Sequence, residues 1–310
     1  MQDIPLLCIL GPTASGKTHL AVQLAHRLQG EIISADSRQV YKRMDIGTGK
    51  DINEYIIDNK QIPYHLIDIV EQGNYYSVYE YHRDFQLAYN DIISRNKIPV
   101  LCGGSGMYIE AVISDYQLDC VPVDEEFHKQ MEKRSMDELI TELKSLKSLH
   151  NKTDILDKKR LIRALEIALQ SKQSSSYQSN IPNNCMLFYI AFEKTVLRQR
   201  IALRLKQRLE NGMIDEVKSL LESGVSREDL FYYGLEYRII SQYLADEMDY
   251  KTMVSTLAIA IGKFAKRQRT WFNRMRRKGF KILDIDGTLP DSQKVDQILS
   301  EIDFKKISLS

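Results

Sequence analysis

An octapeptide set between two patterned stretches constrains this chain more than any other feature. Residues 6–10 form an apolar run typical of a buried strand, and residues 19–28 have the apolar spacing of an amphipathic helix. Between them Gly11-Pro12-Thr13-Ala14-Ser15-Gly16-Lys17-Thr18 matches the pattern G-x-x-x-x-G-K-[ST] in full. A strand, a glycine loop and a helix in this order predict a phosphate-binding loop.

The residue types in this loop suit an anion. Glycines allow backbone N–H groups to turn toward phosphate oxygens, and the helix N-terminus adds about half a positive charge. Lys17 supplies a cation, and the Thr18 hydroxyl can hold Mg²⁺. The alternative is a glycine turn with an incidental lysine, which the flanking strand and helix disfavour. The motif leaves open which phosphates are bound.

The rest of the chain alternates short apolar runs with helical stretches, which is typical of a parallel sheet covered by helices. The sequence predicts an α/β fold: a P-loop NTPase-like parallel sheet core with a helical insertion domain. We expect the core to comprise residues 1–118 and 183–310, and the insertion residues 119–182, with a polar linker at 171–180. Further strands are predicted at 31–36, 66–70, 98–102, 186–192 and 280–284, and longer helices at 77–95, 197–209, 213–221, 236–245 and 251–277.

The overall charge is balanced, with 43 Lys and Arg against 42 Asp and Glu, for a net charge of +1. This balance excludes a chain-wide polybasic nucleic-acid binder, so an anionic partner must meet a local patch. Residues 263–278 provide one, with eight Lys or Arg, no acid, and Trp271 and Phe272 among them. A solvated helix face is the alternative to an RNA backbone surface, and Arg274, Arg276 and Arg277 are candidate phosphate contacts.

No apolar run approaches the ~18 residues of a membrane span, and no cleavable signal is visible, so we expect a cytoplasmic protein. The cysteines at positions 8, 102, 120 and 185 are far apart. They predict neither a disulfide framework nor a zinc site, and reduced, mostly buried thiols are expected.

Two carboxylates could assist at the phosphate loop. Asp36 follows the apolar run at 32–35, and the end of a strand next to the phosphate loop would lie over the ligand crevice. Its alternative role is a helix or turn cap. Asp68 lies within the run at 66–70 and is better explained as a strand-end hydrogen-bonding residue.

Several motifs in sequence order carry a family resemblance. The octapeptide is followed by Ile-Ile-Ser-Ala-Asp-Ser-Arg-Gln-Val-Tyr at 32–41, Met-Asp-Ile-Gly-Thr at 44–48 and Pro-Tyr-His-Leu-Ile-Asp at 63–68. Later come Gly-Gly-Ser-Gly-Met-Tyr at 103–108, Lys-Arg-Leu-Ile-Arg-Ala-Leu-Glu at 159–166, Arg200 with Arg204, and Ala-Lys-Arg-Gln-x-Thr-Trp at 265–271. Together they resemble the tRNA dimethylallyltransferase family over nearly the whole chain.

The resemblance implies transfer of a five-carbon prenyl group from dimethylallyl diphosphate to N6 of the adenosine just 3′ of the anticodon of tRNA. It implies Asp36 as general base and Ser105 as a second active-site hydroxyl. The diphosphate would be held by the loop, with Mg²⁺ on Thr18, and clamped by Arg200 and Arg204. The implied loop-binding residues are Gly11, Pro12, Thr13, Ala14, Ser15, Gly16, Lys17 and Thr18. The implied tRNA-binding residues are Asp36, Ser37, Arg38, Gln39, Ser105, His128, Lys159, Arg160, Leu161, Ile162, Arg163, Lys266, Arg267 and Arg269.

The chain departs from the family pattern mainly in the RNA-contacting parts. Ser105 replaces the usual Thr, Lys-Lys-Arg at 158–160 replaces Pro-Gln-Arg, and His128 replaces an Arg. Gly-Leu-Glu-Tyr-Arg at 234–238 replaces the usual Gly-Tyr-Lys-Glu. The zinc finger of eukaryotic members is absent, as in a bacterial type. We expect a monomer.

The chemistry of adenine prenylation suits these residues. A carboxylate can take the N6 proton as the C–N bond forms, and cations can stabilise the departing diphosphate. Two related activities remain open: an adenylate isopentenyltransferase acting on a free nucleotide, and a small-molecule kinase transferring phosphate from ATP. A non-enzymatic RNA-binding NTPase module is a third, which gives Asp36 and Ser105 no joint task.

Overall fold

A computed structural model describes residues 4–74, 76–114, 124–146, 158–170 and 184–307. Cys120, the predicted linker at 171–180 and the predicted domain boundaries lie outside these residues. The chain divides into two compact units, one of Met1–Ser114 with Ile181–Ser310 and the other of Asp115–Asn180. The larger unit contains a six-stranded sheet, and the smaller unit, over its described residues, is helical.

The large sheet is parallel throughout, in the order β5-β2-β6-β1-β7-β8. This confirms the predicted α/β class. The strands are β1 (Leu6–Leu10), β2 (Glu31–Ala35), β5 (Tyr64–His65), β6 (Pro99–Gly103), β7 (Cys185–Ala191) and β8 (Ile282–Asp286), and a separate hairpin pairs β3 (Ile56–Ile57) with β4 (Lys60–Gln61).

Two predicted strands are displaced. The run at 66–70 is not a strand, because Leu66 and Asp68 have positive φ angles of 63° and 57°, which an extended chain cannot contain. The two-residue strand β5 precedes it instead. The last strand begins two residues later than expected, at Ile282, and the hairpin of β3 and β4 was not predicted.

The helices cover both faces of the sheet. The helices of the larger unit are α1 (Lys17–Leu28), α2 (Val78–Ser94), α3 (Gly106–Ile113), α7 (Lys194–Glu210), α8 (Met213–Glu222), α9 (Arg227–Tyr233), α10 (Leu235–Leu244), α11 (Tyr250–Arg277) and α12 (Asp291–Ile307). The helices α3, α9 and α12 were not predicted from the sequence. The helix predicted at 77–95 is confirmed as α2, and a capping box of Ser77 and Glu80 starts it.

The larger unit has two hydrophobic cores, one on each face of the sheet, and β1 contributes to both. Leu6, Cys8 and Leu10 point to one face, which packs against α2, α3, α7 and α11, while Leu7 and Ile9 point to the face covered by α1 and α12. All five side chains are fully buried. A continuous apolar run is what a strand covered on both faces requires.

The smaller unit contains α4 (Glu125–Met131), α5 (Met136–Leu146) and α6 (Lys158–Gln170). Leu139 and Leu143 of α5 pack against Leu161, Ile162 and Leu165 of α6 in a core of their own. Within the described parts of the chain, no helix is long and apolar enough to cross a membrane.

Candidate active site

Three connecting turns meet at the carboxyl edge of the sheet. The phosphate loop follows β1, the turn at 104–105 follows β6, and Asp36 follows β2. The sequence analysis placed the strand of Asp36 next to the strand of the phosphate loop, and this is wrong, because β6 pairs with both and lies between them. Since all three strands are parallel, their carboxyl ends still open into one crevice.

The phosphate loop has the backbone conformation that an anion site needs. Gly16 caps α1 with φ 79°, a left-handed conformation that disfavours any side chain, and Ala14 also has a positive φ of 62°. Ser15 is 2% exposed, and its hydroxyl has no hydrogen-bond partner among the described residues. A buried polar group without a partner is costly in a protein, so this hydroxyl is suited to a bound anion.

Lys17 and Thr18 begin α1 directly behind this loop. Burial lowers the pKa of the Lys17 ammonium, while Cys102 and Asp36 act in the opposite direction. Burial raises the pKa of the Cys102 thiol to about 12, so this cysteine stays neutral, although Lys17 and the Thr18 hydroxyl act to lower its pKa. Cys102 is therefore present as an uncharged, buried thiol beside Lys17 and Thr18.

Asp36 and Ser105 are brought together through Ser37. The backbone N–H of Ser37 donates to Ser105 Oγ at 3.0 Å, and that of Arg38 donates to Asp36 Oδ1 at 2.9 Å. Ser105 N in turn donates to Ala35 O at 3.1 Å. Asp36 thus caps its own turn, as its alternative role required, and the same bond orients the carboxylate.

Buried hydrogen bonds and ion pairs fix the segment after Asp36. Gln39 is buried, accepts a hydrogen bond from Ser34 Oγ at 3.0 Å and donates to Gly49 O at 2.9 Å. Its side chain therefore has partners within the protein, although the resemblance places it in a tRNA-contacting segment. The ammonium of Lys50 is fully buried and binds Asp45 Oδ1 at 2.6 Å and the Asp68 carboxylate. Asp68 was predicted as a hydrogen-bonding residue at a strand end. It lies outside the strands and forms an ion pair with Lys50 instead.

Arginines of α7 line the other side of the loop. Arg200 Nε donates to Ala14 O at 2.8 Å, and Arg204 donates to Asp51 Oδ2 at 2.7 Å. Arg208 was not predicted as a site residue. Its NH2 group is buried, has no hydrogen bond among the described residues and lies 3.8 Å from the same Asp51 oxygen. Its position four residues beyond Arg204 on one helix face was the signal that could have found it.

A cavity beside the loop is lined by both polar and apolar residues. Its polar lining residues are Thr13, Arg204, Arg208 and Glu236, and its apolar ones are Ala14, Ile201, Leu205, Met213 and Ile261. Burial raises the pKa of Glu236 and lowers that of Arg208. In the sequence, position 236 stands out only by its departure from the family pattern.

The basic stretch of α11 is divided into two parts. Arg274 and Lys278 both bind the buried carboxylate of Glu110, at 2.5 and 2.6 Å, and Arg276 pairs with Asp284. These charges therefore hold α11 in place, which corrects the choice of Arg274 and Arg276 as RNA contacts. The remaining basic side chains are Lys263, Lys266, Arg267 and Arg277, which are exposed, and Arg269, which is half-buried.

In the smaller unit, two of the implied tRNA residues, His128 and Arg163, bind Glu166. This carboxylate is fully buried and binds His128 Nε2 at 2.9 Å and Arg163 NH1 at 2.5 Å. Burial acts to raise the pKa of Glu166, but hydrogen bonds from Asp124 N, Arg163 and His128 outweigh it and lower the pKa.

Leu161 and Ile162 were also implied as tRNA-binding. Their side chains are buried in the core of the smaller unit, so they position α6 and do not present a surface. The side chains of Lys159 and Arg160 lie outside the described residues.

The chain is similar to known proteins over almost its full length. A family described as IPP transferase matches residues 39–275. A protein of Parabacteroides distasonis, tRNA dimethylallyltransferase 1, is 50% identical over 95% of this chain and 96% of its own length. A protein of Phocaeicola vulgatus, tRNA dimethylallyltransferase 2, is 46% identical over 98% of this chain and its own full length.

Two solved structures share the fold. The tRNA isopentenylpyrophosphate transferase of Bacillus halodurans has a TM-score of 0.70 and 31% identity, and the match covers 97% of this chain and 96% of that one. A eukaryotic dimethylallyltransferase acting on tRNA has a TM-score of 0.77 over 98% of this chain and 79% of that one, and its 22% identity supports the fold alone. By its family match and by its 50% identity to a relative of nearly equal length, this chain belongs to the IPP transferase family.

Proposed function

We propose that this protein transfers the dimethylallyl group from dimethylallyl diphosphate to N6 of the adenosine 3′-adjacent to the anticodon in tRNA, releasing diphosphate. The observation that carries the proposal is the convergence of the phosphate loop, Ser105 and Asp36 at one edge of the sheet. Related proteins named tRNA dimethylallyltransferase, 46–50% identical, support the acceptor and the reaction type.

Asp36 is the proposed general base. The N6 amine of adenine becomes acidic only as its bond to the prenyl carbon forms, and a carboxylate within ~2.6–3.2 Å can take the proton at that moment. Such a base contributes typically 10²–10⁴-fold to the rate. The bond from Arg38 N to Asp36 Oδ1 fixes the carboxylate without consuming its second oxygen. Ser105 holds the adjacent turn and offers its hydroxyl to the acceptor base.

The phosphate loop and α7 form the proposed diphosphate site. As the bond to the allylic carbon breaks, negative charge grows on the departing oxygen, and Lys17, Arg200 and Arg204 stabilise that charge. Arg208 joins them as a fourth cation beside the cavity.

The donor set at the loop also fits Mg²⁺. Among the described residues no group of three or more His, Cys, Asp or Glu could hold a metal ion. Magnesium needs few protein ligands when phosphate oxygens and water supply the others. The Thr18 hydroxyl, in the first turn of α1 directly behind the loop, is the proposed protein ligand. When bound, the ion would neutralise charge on the diphosphate.

The exposed face of α11 is the proposed backbone contact for tRNA. Lys266 and Arg267 are exposed there, and Arg269, three residues beyond Lys266 and so its neighbour on the helix surface, is half-buried. These residues would position the anticodon arm without touching the reacting atoms. We propose that the protein acts as a monomer in the cytoplasm, where its tRNA acceptor is found.

A transfer assay with labelled substrate tests this function. The protein is incubated with dimethylallyl diphosphate carrying label in the prenyl group and, separately, with unmodified tRNA, AMP or ATP. Label that enters tRNA alone supports the proposal. Label that enters AMP identifies an adenylate isopentenyltransferase, and phosphate transfer from ATP without prenyl transfer identifies a kinase. A tRNA variant with guanosine in place of the target adenosine is the matched control, and we expect it to remain unlabelled.

A further inference from the structure

Gln268 of α11 joins two turns of the active site that are about 90 residues apart in sequence. Its side chain is 6% exposed. Its Oε1 accepts a hydrogen bond from Thr13 N at 2.8 Å, and its Nε2 donates to Gly104 O at 3.1 Å. One amide therefore holds the phosphate loop with its acceptor and the Ser105 turn with its donor.

The turn leaves no spare room for this amide. A Cβ atom on Gly104 would lie 2.3 Å from Gln268 Nε2, so a glycine is needed for the side chain to reach the carbonyl. One helical turn later the Trp271 ring packs directly on Gly106, where a Cβ would lie 2.3 Å from Cδ1. The backbone of this turn is thus shaped to receive α11.

The helix that carries Gln268 is itself fixed to α3. Glu110 of α3 is fully buried and binds Arg274 and Lys278, and the Arg274 guanidinium lies 3.9 Å from the centroid of the Trp271 ring. Gln268 therefore extends from a rigid element, and the two turns take their spacing from it.

We propose that Gln268 is a positioning residue that sets the register between the donor and acceptor halves of the active site. Hydrogen bonds run from Thr13 through Gln268 to Gly104, and the neighbouring Ser105 accepts from Ser37, beside the general base Asp36. This inference rests on the proposed prenyl transfer. Because Thr13 N is already bonded to Gln268, the diphosphate takes its contacts from later residues of the loop.

The expected effect is on turnover. Loss of the bridge lets the prenyl carbon and the N6 acceptor drift apart, and a misplacement of ~1 Å costs about 10²-fold in rate. Gln268→Met keeps the length and apolar packing and removes both hydrogen bonds. We expect kcat to fall by about 10–100-fold, with KM for dimethylallyl diphosphate changed less than about threefold, since Lys17 and the α7 arginines remain.

Gln268→Glu separates positioning from simple packing. When ionised, the introduced carboxyl can accept from Thr13 N but cannot donate to Gly104 O, and when protonated it can do both. We expect its kcat relative to wild type to rise as the pH is lowered from 8 to 5. Lys17, Asp36 and Arg269 are present in all three proteins, and Gln268→Met, which has no carboxyl at 268, shows what the rest of the site contributes to the ratio. Gln268→Met should give a flat ratio.

Matched measurements make the result decisive. Gln293→Met, at an exposed glutamine of α12, is the control and should match wild type. With inorganic diphosphate bound, the amide hydrogen-exchange rates of the turns at 11–16 and 103–106 should both be higher in Gln268→Met than in the wild type. A kcat of Gln268→Met within twofold of wild type, or a pH-independent ratio for Gln268→Glu, overturns the positioning role. Wild-type protein that transfers no prenyl group overturns the proposed function instead, and the exchange measurement then still tests the bridge.

Discussion

The two edges of the parallel sheet use their polar residues in opposite ways. At the amino end of β2, Glu31 is 4% exposed and fully engaged, by His65 Nε2 at 2.8 Å and by two nitrogens of Arg95. At the carboxyl edge, Ser15 Oγ and Arg208 NH2 are buried without hydrogen bonds among the described residues.

The difference reflects how each edge gains its stability. A paired charge contributes to the fold alone, whereas an unpaired buried donor costs stability until a ligand satisfies it. The carboxyl edge therefore has the character of a binding site, and the amino edge that of a structural joint. Substitutions at the first should alter chemistry and binding, and those at the second should alter folding.

The largest effect is expected at Asp36. Asp36→Asn keeps an oxygen that accepts from Arg38 N but removes the proton acceptor, so turnover should fall by about 10²–10⁴-fold. Binding of dimethylallyl diphosphate and the unfolding midpoint should stay near wild type. Single-turnover kinetics and calorimetry measure the two quantities, with Asp296→Asn on α12 as the control. Equal losses of binding and turnover would make Asp36 a metal ligand or a structural residue.

The next effect is expected at Lys17. Lys17→Ala removes a charged donor to the diphosphate and should weaken binding by about 1–3 kcal/mol, the scale of a charge-assisted hydrogen bond. Titration calorimetry with inorganic diphosphate gives the affinity, and Lys60→Ala in the exposed hairpin serves as the control. Unchanged affinity would place the diphosphate away from this loop.

At the amino edge we expect a change in stability without a change in chemistry. Arg95 lowers the pKa of Glu31, mainly through its hydrogen bond, so this carboxylate stabilises the fold above its ordinary pKa and less as the pH falls through the lowered value. Since Arg95 is partly exposed, Glu31→Gln should cost about 1–2 kcal/mol at pH 7.

The pH dependence gives this prediction its sign. The cost of Glu31→Gln should shrink as the solution is acidified below about pH 4, because the wild-type carboxylate then becomes protonated as well. Urea unfolding at several pH values measures it, alongside Glu222→Gln at an exposed site. A large fall in kcat for Glu31→Gln would contradict the purely structural role assigned to the amino edge.

The smallest effect is expected on the exposed face of α11. Replacing Lys263, Lys266 and Arg267 with Ala should weaken tRNA binding at low salt and flatten the slope of log K against log[salt] by ~0.7–0.9 per lost contact. Arg276→Ala is the matched control, since Arg276 pairs with Asp284 and should leave the slope unchanged. Filter binding across a salt series separates the two sets, and an unchanged slope for the triple variant would mean that this face only solvates the helix.

The sequence by itself determined those features that depend on local pattern. The apolar run at 6–10, the loop at 11–18 and the capping residue Ser77 fix a strand, a phosphate loop and a helix through contacts between near neighbours. The end of the apolar run at 32–35 singled out Asp36, and the resemblance added Ser105 and the α7 arginines as site residues. The structure puts all of them at the edge of the sheet where the loop lies or on the helix beside it.

Only the tertiary structure decided what depends on distant partners. Strand order placed β6 between β1 and β2, and that order brings Gly104 within reach of Gln268 on α11. It also assigned Arg274 to Glu110, which no pattern within 263–278 could indicate. A charge or an amide has no function until its partner is known, and these partners lie 164 residues away in the chain.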